Sequence, residues 1–289
     1  MYIPVRDDVL RQAGYASIAE GLKDMQLDSV EVEFFHDYTV WDTDGWNKVS
    51  FTPGDAAQTI KNAYEKNKIK ICAFLLHNNF NCAEPQKEIQ WVTDVIKTAD
   101  ALQISAMRID AITKGEKEEP FEVRVARFVD SMQKVIAATN TSKVGLGIEN
   151  HGTQGNDPAF LKQVIEQVGN ERLGINMDTG NFYWNGFPLD EVYEILRSVA
   201  PYTKHTHVKN IRYPEETRQQ KRASGWEYGK YVSPIYEGDI DHQKVVEILK
   251  NTGYNGPLTI EDECLGKLDV NQRKEVLRKD AEYLKGLLG

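Results

Sequence analysis

Val144-Gly-Leu-Gly-Ile-Glu149 and Leu173-Gly-Ile-Asn-Met-Asp178 are the stretches that decide the fold. In a strand, successive side chains point to opposite faces. Val144, Leu146 and Ile148 make one apolar set, and Gly145, Gly147 and Glu149 make the other. The second stretch repeats this, with Gly174, Asn176 and Asp178 opposite Leu173, Ile175 and Met177. In a barrel strand, alternate side chains face the lumen and the helix layer. The small, polar, carboxylate-ending sets suit a lumen, and the apolar sets suit the underside of surrounding helices.

Similar short apolar runs recur along the whole chain. Tyr2–Val5, Val30–Phe35, Lys70–Leu76, Leu102–Ile109, Thr203–Lys209 and Leu258–Glu261 join the two quoted stretches to make eight strand candidates. Helical patterns lie between them at Ala56–Lys66, Gln86–Thr98, Pro120–Ala137, Asp157–Val168, Pro188–Val199, Asp241–Lys250 and Asn271–Leu287. Strands alternating with helices predict a parallel sheet. At 289 residues the chain is close to the roughly 250 of a closed (β/α)8 TIM barrel. No linker rich in Pro, Gly or Ser interrupts it, so one domain over residues 1–289 is expected. Two insertions, His36–Ser50 and Ile211–Ile240, follow strands. Both are therefore expected over the C-terminal face, where barrel enzymes keep their sites.

The composition narrows the function classes. Hydrophobic residues at 40% and aromatics at 10% suffice for a large core without disulfides. Three cysteines (Cys72, Cys82 and Cys264) cannot all pair, and the first residues lack the basic and apolar stretches of a signal peptide, so the reducing cytoplasm is expected. No apolar run is long enough to cross a membrane. A net charge of −9 repels phosphate backbones and argues against a nucleic-acid partner.

The last four strands share one feature. Glu149, Asp178, His207 and Glu261 each lie at the end of a strand on its inward parity, with His205 and Lys209 on the face of His207. A carboxylate inside a barrel is costly unless it is paired or bound to a cation. Three oxygen donors and one imidazole make a site for one divalent ion. They suit Mn²⁺, Mg²⁺ or Co²⁺ better than a thiolate-rich zinc site would, and Zn²⁺ stays open. The inward glycines are expected to leave room beneath these ligands.

At these residues the chain resembles the xylose-isomerase-like superfamily of sugar isomerases, epimerases and apurinic endonucleases. The matching segments are Gly147-Ile-Glu-Asn-His-Gly152, Asn176-Met-Asp-Thr-Gly-Asn181, His205-Thr-His-Val-Lys-Asn210, Glu237-Gly-Asp-Ile-Asp241 and Gly253-Tyr-Asn-Gly-Pro-Leu-Thr-Ile-Glu261. The resemblance implies one metal, Mn²⁺ by preference, on Glu149, Asp178, His207 and Glu261. It also implies that Glu149 and Glu261 act as the acid–base pair around a metal-stabilised enediolate. That is the chemistry of an isomerase or epimerase of a sugar or keto-sugar. A lyase, such as a dehydratase or a 3-keto-glycoside-cleaving enzyme, shares the same enolate step. A phosphodiester hydrolase is the third reading, but Asp178-Thr-Gly-Asn181 lacks the further histidine of the three-metal endonucleases.

Other residues near the strand ends are candidates for substrate binding. His77 either touches substrate or is a satisfied strand-end histidine. His151 either supports the metal ligands or meets substrate. Asn181 is a candidate hydrogen-bonder, and Lys209 either neutralises an oxyanion or pairs with a carboxylate. Trp184 packs on sugar C–H groups, in its loop or at an oligomer contact. Arg212, with the basic residues after it, anchors an anion or forms a solvated face. The expected partner is a small carbohydrate, with a homo-oligomer or a partner subunit left open.

Overall fold

The computed structural model describes residues 1–111 and 115–289. Eight parallel strands close into a barrel. They are β1 (Val5–Arg6), β2 (Ser29–Glu33), β3 (Lys70–Leu75), β4 (Ala106–Ile109), β5 (Gly145–Glu149), β6 (Leu173–Asp178), β7 (Thr203–Val208) and β8 (Thr259–Ile260). Each pairs with its neighbours in chain order, and β1 closes on β8 through Val5 and Ile260. The expected (β/α)8 barrel is therefore the fold. Among the described residues no helix is long and apolar enough to cross a membrane.

The alternation within strands holds. Val30, Val32, Met107, Ile109, Leu146, Ile148, Ile175 and Met177 are all buried in the core between strands and helices. Two strand bounds differ from expectation. The first shrinks to Val5–Arg6, leaving Tyr2 as an isolated bridge to Pro257; Pro4, between them, has no N–H for the ladder. The fourth begins at Ala106, because Leu102 caps the helix Pro85–Ala101 and Gln103 turns at φ 59°. Two helices not named from the sequence, Asp7–Gln12 and Ile18–Asp24, follow β1. The second carries its own start signal: Ser17 accepts from the Glu20 N–H at 3.0 Å, and the Glu20 carboxylate accepts from the Ala16 N–H at 2.6 Å.

The room expected beneath the ligands is occupied. A side chain at Gly174 would meet the Tyr202 carbonyl at 2.0 Å and the Lys204 stem at 2.9 Å, and Gly145 also faces Lys204. A register shift between Ile175 and Asn176 places this lysine there. Only residues without a side chain let it cross.

The insertions part company. Residues 36–50 do not cover the mouth. Their hairpin (Thr39–Trp41 with Lys48–Ser50) lies along the flank, where Trp46 donates to the Tyr15 carbonyl, Tyr64 to the Trp41 carbonyl and Thr43 to the Ala63 carbonyl. Trp41 and Trp46 gain apolar contact with the core there, which outweighs the pull of the strand end. Residues 211–240 do reach the C-terminal face. They are tied by a short ladder of Asn210–Ile211 with Val232–Ser233.

Candidate metal centre

The ends of β5 to β8 bring Glu149, Asp178, His207 and Glu261 together, with one ligand atom from each lying within 4.8 Å of all the others. All four are buried. His207 Nδ1 sits 2.7 Å from Glu149 Oε1 and 3.4 Å from Glu261 Oε2. Glu149 and Glu261 flank the set because their strands do.

Local structure holds these groups rigidly. Asn150 clamps the end of β6, donating to the Asp178 carbonyl at 3.0 Å and accepting its N–H at 2.8 Å. Asn78 does the same for Asp110, at the end of β4, at 3.1 and 2.7 Å. Asp178 Oδ1 accepts from the backbone N–H groups of Gly180 and Asn181 at 2.8 and 2.7 Å.

The electrostatics are those of a cation site. Burial pushes the Asp178 carboxyl well above its usual range, and Glu261 and Glu149 push it further, against Lys209. Its Oδ2 lies 3.2 Å from Lys209 Nζ yet has no hydrogen bond. Burial also works against the charge on Glu149 and Glu261. Arg108 and His207 nevertheless hold Glu149 well below the carboxylate range, and His207, Lys209 and Arg6 do so for Glu261. Burial alone would lower His207; Glu261, Glu31 and Glu149 instead raise it well above an ordinary imidazole. Hard carboxylate oxygens, one imidazole nitrogen and an orphaned buried oxygen fit one divalent ion, whose charge would replace the proton on His207.

Three cationic residues surround the four. Arg108 donates through Nε and NH2 to Glu149 Oε2, the former at 2.7 Å, and also meets Asp110 at 3.2 Å. Arg6 donates to Glu261 Oε1. Lys209 Nζ lies 3.3 Å from Glu261 Oε2 and 2.6 Å from Glu263 Oε1. Glu263 in turn accepts from the Tyr228 hydroxyl at 2.5 Å, the one direct tie described from the long loop to these groups. Of the readings open for Lys209, the carboxylate pairing is the one present.

The remaining candidates divide. His151 lies beside the four residues, its Nδ1 3.6 Å from Asp110 and 3.9 Å from Glu149, with its side chain 39% exposed. His77 is half exposed, between Glu33 and Asp110 at 3.7 and 3.8 Å. Asn181 is buried at the end of β6, and its amide nitrogen has no partner. The structure does not join Trp184 or Arg212 to the cluster among the described residues. Trp184 packs its ring edge under Gly225. Arg212 is exposed because its neighbours Ile211 and Tyr213 turn into the core.

Reasoning from the sequence missed Arg6, Glu31, Arg108 and Asp110. The signal was present for Glu31, since Val30-Glu-Val-Glu-Phe34 alternates as clearly as β5 does.

The family profile of the xylose isomerase-like TIM barrel matches residues 19–287, and the chain belongs to that family. It is 30% identical to an inosose dehydratase of Clostridium perfringens over 139 residues, 46% of each chain. It is 25% identical to an inosose dehydratase of Yersinia enterocolitica over 236 residues, 75% of this chain and 68% of that one. The chain thus spans about half the length of the first relative and two thirds of the second. A D-psicose 3-epimerase from Clostridium cellulolyticum has the same fold, with a TM-score of 0.70 at 14% identity over 100% of this chain and 99% of that one. So does the IolI protein, solved with a zinc atom, with a TM-score of 0.69 at 15% identity over 97% and 96%. The probable 3-DHS dehydratase AsbF of Bacillus anthracis follows, with a TM-score of 0.65 at 12% identity over 99% of both chains. The family is one of enzymes that includes epimerases and dehydratases.

Proposed function

We propose that this chain is a metal-dependent isomerase or epimerase of a sugar or other small polyhydroxylated carbonyl compound. The observation that carries the reading is the convergence of Glu149, Asp178, His207 and Glu261. These four residues would hold a divalent ion, which would supply positive charge to a carbonyl oxygen as the neighbouring C–H loses its proton. Mn²⁺ is our first choice for that ion.

The chain's own residues do the rest. Glu149 and Glu261 flank the cluster, so one is placed to accept the proton and the other to return it on the opposite face or the next carbon. Lys209, pinned between Glu261 and Glu263, sits where a substrate oxygen would carry charge. Asn181, with an unpaired buried amide, and the half-exposed His77 and His151 offer hydrogen bonds to hydroxyls. Arg212 and Trp184, on the loops around the mouth, are retained only for the outer part of a larger substrate.

One observation favours a second reading. Each glutamate gives one oxygen to His207 and the other to an arginine, Arg108 on Glu149 and Arg6 on Glu261. A guanidinium on the free oxygen weakens a carboxylate as a base. His151 is left as the better proton carrier, and Asp110 and Glu149 raise its basicity against the effect of burial. A single carrier on one face suits loss of water beside the ketone, and polyhydroxylated cyclic ketones of the kind named for the Clostridium relative are then the substrates to try. Incubation with ketoses and inososes in D₂O separates the two. Deuterium in recovered sugar or its isomer, without a new enone absorbance, supports the isomerase, and an enone product supports the lyase. No exchange with any of them, in protein carrying one ion, would sink both.

A further inference from the structure

We propose that Glu31 is a positioning residue for the metal centre, fixing which nitrogen of His207 faces the ion. The inference rests on the reading of Glu149, Asp178, His207 and Glu261 as a metal site. Glu31 belongs to β2, which is not a neighbour of β7 in the barrel. Its side chain crosses the lumen and is fully buried. Oε2 lies 2.8 Å from His207 Nε2, and Oε1 lies 2.9 Å from His205 Nε2. The two nitrogens of His207 therefore face different partners: Nδ1 faces the four-donor cluster and Nε2 faces Glu31.

A carboxylate against Nε2 keeps the ring proton on that nitrogen. The lone pair is then on Nδ1, aimed at the ion, and the ring cannot turn without breaking the contact. His205 Nε2 lies 2.9 Å from the other carboxylate oxygen without a hydrogen bond and instead meets Thr259 Oγ1 at 3.2 Å, so the bond to His207 is the one that fixes Glu31. His205 is thus a buried partner of Glu31 in the layer under His207.

Glu31, His205 and His207 also lie close enough together to form a three-donor cluster of their own. The hydrogen bond between His207 and Glu31 argues for one ion, on the Nδ1 side of the ring. Glu31 Oε2 and His207 Nε2 are hydrogen-bonded at 2.8 Å, and His207 Nδ1 already belongs to the four-donor cluster, whereas Oε1, 2.9 Å from His205 Nε2, makes no hydrogen bond. No fourth donor joins the three among the described residues.

The test is a metal titration of chelator-stripped protein, with zinc and manganese, on wild type and on Glu31→Gln, which keeps size and shape. One ion per chain is expected in both proteins, with the dissociation constant raised about 10- to 100-fold in the variant. His205→Gln, which leaves the Glu31–His207 contact, is expected to change it by less than about threefold, well short of that range. Nitrogen-15 histidine spectra of zinc-loaded wild type should show His207 protonated at Nε2 and bound through Nδ1, a readout that does not require the variant to fold. Equal affinity in wild type and Glu31→Gln, or zinc on Nε2, overturns the positioning role alone. Two ions in wild type and one in Glu31→Gln would make Glu31 a ligand and also overturn it. A wild type that takes up no ion sinks the reading of the metal centre itself, and this proposal with it.

Discussion

Replacing Asp178 with Asn should separate the stability of the barrel from its affinity for a cation. Asp178 Oδ1 accepts two backbone N–H bonds, and an asparagine oxygen can accept both. The other position, Oδ2, has no hydrogen bond; there the amide loses the attraction of Lys209 at 3.2 Å and also the repulsion of Glu149 and Glu261. These effects oppose each other, so metal-free stability should change by no more than ~1 kcal/mol, although breaking a buried ion pair usually costs about 3–5 kcal/mol. Metal binding supplies the contrast. At an ion concentration of about 100 times Kd, wild type gains ~2.7 kcal/mol. At roughly 2 °C per kcal/mol for a chain of this size, Tm rises by about 5 °C. The variant lacks one anionic donor, and its shift should fall below ~1 °C at the same ion concentration. Calorimetry of chelator-stripped protein, with and without Mn²⁺, measures both quantities. A variant that keeps the full shift, or that loses more than ~3 kcal/mol without metal, would refute the reasoning.

Three further outcomes are expected. His242 is buried, and desolvation lowers its pKa to about 4. Its folded pKa lies below the unfolded 6.5, so the stability it contributes is present above pH 6.5 and is lost as pH falls toward 4. His242→Gln should remove about 2 kcal/mol of the loss between pH 7 and 5, seen by urea melts at both pH values; parallel curves for the two proteins would count against it. Asn150→Ala removes both bonds that clamp the end of β6 and should cost ~2–4 kcal/mol and weaken metal binding together, whereas a stability loss with unchanged metal affinity would show that the clamp does not set the site. Tyr228→Phe removes the bond to Glu263 and should raise KM about tenfold with metal content unchanged, so an unaltered KM would remove the loop from the site.

The legible part of the site follows from strand periodicity. Glu149, Asp178, His207 and Glu261 end four successive strands on one parity, so their convergence needs only the barrel and the two-residue repeat. Arg108 was missed because the expected strand began at Leu102, the residue that caps the helix Pro85–Ala101, four residues ahead of the true strand at Ala106. Arg6 was lost with the misplaced first strand. The hairpin at Thr39–Ser50 shows a different limit: position after a strand gives where an insertion starts, while its aromatic side chains decide where it settles. The reach of Glu31 across the lumen depends on contacts between strands far apart in sequence, which no local pattern encodes.

With that hairpin on the flank, the described residues enclose the carboxylates most closely under the loop of residues 211–240. Lys209 and Glu261, beneath the loop of residues 211–240, are almost fully enclosed, while His77, on the segment after β3, has half of its side-chain surface free. A molecule bound as proposed would meet a wall on the Lys209 side and more open space on the His77 side. Under the proposed function, lengthening the substituent on the His77 side should be tolerated where lengthening the one on the Lys209 side is not. Selectivity would then be asymmetric along the substrate.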